Sequence, residues 1–125
     1  MSFCPFCFEN INKSQIILEN KYCLFIQREE PILTGSGLII PREHRENAFE
    51  LSTDEWIATH ELLHQTKALL DEKYHPDGYN LGWNCSKTAG QEIFHAHMHV
   101  IPRFKDEPFA GKGIRYWLKQ ESNKR

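Results

Sequence analysis

The stretch FHAHMHVIP, residues 94–102, places histidine at every second position: His95, His97 and His99. A period of two belongs to the β-strand, whose successive side chains point to opposite faces. On a strand the three histidines share one face with Ile93, and Phe94, Ala96, Met98 and Val100 form a wholly apolar face opposite. On a helix His95 and His99 would share a face and His97 would point elsewhere. The stretch therefore reads as a half-buried strand with a histidine face, and the chain must supply what covers the apolar side.

The covering layer is legible. Residues 52–74, STDEWIATHELLHQTKALLDEKY, read as one long helix. Ser52 and Glu55 have the spacing of a capping box at its start, and HPDG ends it. At about 100° per residue, Ala58, Leu62, Leu63, Leu69 and Leu70 gather on one side with Trp56 at the edge. QIILEN and YCLFIQ, parted by Lys21, read as a strand hairpin. TGSG makes a turn into LIIP, a third strand; YNLGWNC is a fourth, and QEIFHAHMHVI, residues 91–101, a fifth. Hairpin-linked strands around one helix make an α+β domain with a five-stranded antiparallel sheet. With 125 residues the chain reads as one domain, residues 1–118, with KQESNKR (residues 119–125) as a flexible tail.

Composition removes several functions. No apolar run approaches the ~20 residues of a membrane span, and MSFCPFCFEN lacks the layout of a signal peptide. A formal charge of −2 argues against a nucleic-acid surface. The expected compartment is the cytoplasm, where four cysteines stay reduced.

Two short motifs suggest metal chemistry. HELLH, residues 60–64, matches a zinc-protease helix pattern. His60 and His64 fall with Lys67 and Asp71 on the polar side of the helix, with nothing above them to exclude water, so an exposed helical face is the better reading. CPFC, Cys4 to Cys7, has no room for the strand that precedes a thiol-redox motif. In a reduced compartment Cys-x-x-Cys suits zinc, and a tetrahedral site needs two further ligands. His44, in PREH, and one histidine of the fifth strand are candidates. Cys23 and Cys85 read as small buried hydrophobes within strands.

HAHMHVI fits the alternating pattern of the histidine triad (HIT) family of nucleotide hydrolases and transferases, and AGQ, three residues before the triad, and the PR after it extend the match. CPFC and GLIIPREH belong to the same resemblance, which spans nearly the whole chain and is that of a bacterial-type, single-domain, zinc-containing member. It implies the HIT fold and a nucleophilic role for His97 on the α-phosphate of a purine nucleotide, through a covalent nucleotidyl-histidine. His99 then hydrogen-bonds phosphate oxygens, and Gln91 and Asn84 occupy phosphate-contacting positions. The resemblance assigns a structural zinc to Cys4, Cys7, His44 and His95. It implies a homodimer, in which GIRYWLK near the C-terminus reaches a partner's site.

Two positions depart from the family pattern. Glu92 stands near the leaving group where many members have serine or threonine; ionised, it would repel an anionic leaving group. Gln27 aligns approximately with the residue that binds the ribose hydroxyls. Phe6, Phe8, Phe25 and Ile26 are candidates for base contact. The substrates implied are nucleoside phosphoramidates, adenylylated amines or dinucleoside polyphosphates. The competing class is a nucleotide-binding scaffold with little turnover.

Overall fold

A computed structural model describes residues 3–125, so the expected domain start at Met1 lies outside the described residues. Five strands form one sheet: β1 (Ile16–Glu19), β2 (Cys23–Ile26), β3 (Gly37–Pro41), β4 (Gly78–Trp83) and β5 (Met98–Arg103). Their order is β1-β2-β3-β5-β4, and every neighbouring pair is antiparallel. The long helix α1 (Thr53–Tyr74) lies between β3 and β4 in the chain, and a single turn, α2 (Arg115–Leu118), follows β5.

β2 and β3 are buried at every position, because both faces of the central sheet are covered. On one face Cys23, Phe25, Ile39, Met98 and Val100 pack against Ala58, Leu62 and Leu70 of α1. On the other, Leu24, Ile26, Leu38 and Ile40 pack against Phe6 and Ile11 of the N-terminal segment. Gly37 is what lets β2 and β3 close on each other: a Cβ there would stand 2.6 Å from the Ile26 carbonyl oxygen.

The expected elements form, with two differences. The capping box is present, but Glu55 is also buried at 1% exposure, and the core side of α1 includes Thr59 and Thr66 beside the leucines. The fifth strand begins at Met98 rather than near Gln91. Its neighbours explain this: β4 ends at Trp83 and β3 pairs only as far as Ile39, both opposite Met98. Upstream of Met98 loops satisfy the backbone instead, Gln91 N–H donating to Ser86 O (3.1 Å) and Ala96 N–H to Arg45 O (2.7 Å). Outside the ladder Phe94 leaves the apolar face and is 41% exposed, whereas Ala96, Met98 and Val100 are buried as expected. Cys23 is buried; Cys85 is only half-buried.

Candidate active site and metal centre

The Cys-x-x-Cys turn closes through Cys7 N–H on Cys4 O (3.3 Å), and Asn10 Nδ2 also donates to Cys4 O at 2.7 Å. This turn brings both sulfurs to the start of the histidine stretch. Cys4 Sγ lies 3.4 Å from His95 Nδ1, Cys7 Sγ 3.4 Å from His44 Nδ1 and 3.8 Å from His95 Nδ1. All four donor atoms fall within 4.8 Å of one another. Zinc–sulfur and zinc–nitrogen bonds of about 2.3 and 2.0–2.1 Å give tetrahedral edges of about 3.3–3.8 Å, the range of the three sulfur–nitrogen contacts. His95 Nε2–H donates to Pro41 O at 2.8 Å, so its Nδ1 lone pair is turned toward the sulfurs. Burial, with the neighbouring Cys4 thiol second, pushes the Cys7 thiol up to about 11. A divalent cation is what would make two thiolates favourable here. The donor set fits zinc.

His97 sits beyond this cluster at 8% exposure. Its Nδ1–H donates to the His95 carbonyl at 2.8 Å, which leaves Nε2 as the nitrogen with a free lone pair. The Phe6 ring lies edge-on at 5.1 Å and the His99 ring at 5.1 Å on a further side. Burial first holds both His97 and His99 below the ordinary imidazole value. The Arg28 cation lowers His97 further, and for His99 the His97 ring acts next and Arg28 after it, so both shifts favour the neutral ring. His99 Nε2 is buried without a hydrogen-bond partner. His99 lines a cavity of about 380 Å³ together with Arg28, the carboxylates Glu29 and Glu30, Ser36, Gly37 and the apolar Leu33, Leu38 and Ile101. A buried ring nitrogen without a partner, next to an open cavity, is suited to meet a ligand oxygen.

Other expected site residues have different surroundings. Gln91 is 2% exposed, and its amide is fully engaged: Oε1 accepts from Ser86 N–H (2.8 Å), and Nε2 donates to Glu46 O (2.6 Å) and Ile93 O (3.1 Å). It holds the loop before the triad rather than offering a donor. Asn84 is exposed and its amide stands over Gly90, where a Cβ would meet Nδ2 at 3.6 Å. Gln27 spends its Nε2 on Gly35 O at 3.1 Å, and its neighbour Arg28 is the side chain that lines the cavity. The Arg28 guanidinium lies 5.2 Å from the Phe6 ring centre. Glu92 is exposed in an open cleft beside His44 and Phe94. Of the base-contact candidates, Phe6 walls His97, Phe8 lies half-exposed under Lys13, and Phe25 and Ile26 are core. None of the four lines the cavity, where Leu33, Leu38 and Ile101 supply the apolar surface.

Sequence reading missed Arg45. Its Nε donates to both oxygens of Glu55 (2.9 and 3.2 Å), and its carbonyl takes the Ala96 N–H, between His95 and His97. Residues 44–46 thus join a metal-site ligand, the α1 cap and the Gln91 loop. An arginine beside His44 and ten residues before a capping glutamate was the available signal. Arg28, at the head of REE, had no periodic pattern to mark it.

The model of the HIT domain matches residues 9–106. A 16.1 kDa HIT-like protein of Mycoplasma pneumoniae is 33% identical over 124 residues, 97% of this chain and 83% of the relative. A crystal structure from Streptococcus mutans superposes with a TM-score of 0.76 at 31% identity, over 87% of this chain and 71% of that one. A zinc-bound histidine triad family protein from Mycobacterium smegmatis gives a TM-score of 0.74 at 26% identity, over 86% and 80%. Relatives named for an activity include the bis(5'-adenosyl)-triphosphatase of Dictyostelium discoideum, 25% identical over 76% of this chain and 64% of its own. An adenylylsulfatase of Arabidopsis thaliana is 32% identical over 70% of this chain and 44% of its own.

Proposed function

The chain belongs to the HIT domain family, and on that premise we propose that it cleaves or transfers at the α-phosphate of a purine nucleotide through His97. The observation that carries the reading is one arrangement. His97 Nδ1–H is tied to the His95 carbonyl, Nε2 is free, and the partnerless His99 Nε2 stands on the next ring. In this mechanism Nε2 attacks phosphorus, the P–X bond breaks with its electron pair on the leaving group, and a nucleotidyl-histidine results. Water then attacks the same phosphorus and returns His97. His99 donates to a phosphate oxygen, which requires its tautomer with the proton on Nε2. A zinc ion held by Cys4, Cys7, His44 and His95 would fasten the N-terminal segment to the residue before Ala96 and His97, a structural contribution.

The family includes hydrolases of nucleotide substrates. For this chain the proposed classes are nucleoside phosphoramidates, adenylylated amines and dinucleoside polyphosphates. The proposal extends to a cytoplasmic homodimer. Its support is the sheet-edge position of β4, with Leu81 at 41% exposure and Trp56, 43% exposed, packed edge-on against Trp83 of that strand. No helix of the described residues is long and apolar enough to cross a membrane. The test is a substrate panel with purified protein, comparing adenosine 5'-phosphoramidate with diadenosine polyphosphates. Release of AMP from at least one class is expected; tight nucleotide binding without turnover on any would refute the enzymatic reading.

A further inference from the structure

The HELLH segment has no part in the histidine centre. α1 covers one face of the sheet, and the Cys4–His95 cluster lies with the N-terminal segment on the other. His60 and His64 are exposed one turn apart on the outer side of α1, their Nε2 atoms 3.3 Å from each other and their ring centres 4.6 Å apart. Two imidazole nitrogens bound to one tetrahedral ion at 2.0–2.1 Å stand about 3.3–3.4 Å apart. The pair therefore already has the separation of two ligands on one metal ion.

We propose that His60 and His64 form a second, two-ligand site for a borderline divalent ion, zinc, with water in the remaining positions. The ion class follows from the donors: imidazole favours such ions, whereas magnesium and calcium take oxygen. The helix supplies the preorganisation. It is fixed at one end by the Ser52–Glu55 capping box, at the other by the left-handed His75, and along its length by buried Ala58, Leu62 and Leu70. Neither ring makes a hydrogen bond to anything but the other among the described residues, so an ion displaces only that contact. The nearest cation in the next turn, Lys67, is paired with Asp71 at 2.7 Å. Glu61 does not converge on the pair: the one set of three or more metal donors among the described residues is the Cys4 cluster. The site thus binds and exchanges an ion at the surface and lacks the third protein ligand that a hydrolytic zinc requires. It is independent of the nucleotide chemistry.

The test is calorimetric titration of zinc chloride into untagged protein already saturated with one zinc. Wild type takes up one further ion per chain. His60→Ala and His64→Ala each weaken that uptake on the order of tenfold or more, since one arm of a chelate is lost. Glu61→Gln binds as wild type, and magnesium gives no heat. Circular dichroism checks that these exposed substitutions leave the helix intact. The proposal is overturned if wild type takes up no further ion, if either histidine variant binds as wild type, or if Glu61→Gln abolishes uptake.

Discussion

Replacing Glu55 by Gln tests the link between the helix cap and the triad. The carboxylate is 1% exposed and receives Ser52 N–H at 2.7 Å and Arg45 Nε at 2.9 and 3.2 Å. Glutamine keeps the volume and one oxygen, so the cap survives. It loses the charge opposite Arg45 and turns an NH₂ group toward a donor. A charge-assisted hydrogen bond contributes about 1.5–3 kcal/mol and a neutral one about 0.5–1.5. Breaking a fully buried pair costs about 3–5 kcal/mol. The Arg45 side chain, at 36% exposure, keeps part of its solvation, which lowers that figure. We expect a loss of about 2 kcal/mol for Glu55→Gln, and about 1 more for Glu55→Ala, which also removes the acceptor of Ser52 N–H while Ser52 Oγ still caps the helix. The assay is urea unfolding of the zinc-loaded protein, with a Tm drop of roughly 3–5 °C per kcal/mol as a cross-check. Losses under about 0.5 kcal/mol, the range of an ordinary surface substitution, would show that the pair does not hold the Arg45 segment.

Other outcomes follow from single groups. Thr66 is fully buried with a hydroxyl that has no hydrogen-bond partner, so Thr66→Val should raise stability by about 1–3 kcal/mol in the same unfolding assay; a loss would mean the hydroxyl is satisfied. His97 and His99 are held below the ordinary imidazole value by burial, then by neighbouring charge. Turnover should therefore stay flat through pH 6.5, the unfolded histidine value, and fall only further into acid. The unfolded chain binds protons there before the folded one does, so stability should also decline as pH drops below about 6.5. An acid limb centred above that value would contradict this. Removing zinc with a strong chelator should lower the melting temperature, since an ion held by the cluster would join the Cys4–Cys7 turn to His44 and His95; an unchanged transition would dismiss the metal assignment.

The fold was largely legible because its signals are local and periodic. The Ser52–Glu55 box, the leucine side of α1 and the apolar runs of β2 and β3 each stand within a few residues. The alternation at 95–99 put Met98 and Val100 under the helix and His95 and His97 beside Phe6. What it could not give was where pairing starts, because that depends on where β3 and β4 end. Amide side chains show a related limit of local pattern. Gln91 is buried, and loop groups take up its oxygen and both N–H groups, whereas half-buried Gln27 gives one N–H to Gly35 O. The cation facing the cavity, Arg28, sits one residue from the position chosen by resemblance. Arg45 gains its importance from contacts with residues ten and fifty-one positions away, which no local pattern reports.

The central claim is that His97 Nε2 takes the nucleotidyl group. Wild-type protein mixed with substrate and quenched within a turnover should give a peptide spanning Phe94 to Arg103 that is heavier by one nucleotidyl group, with fragmentation placing it on His97. His97→Ala should show no adduct and a turnover lower by several orders of magnitude, while nucleotide affinity falls much less. An adduct on His99, or normal turnover by His97→Ala, would contradict the assignment.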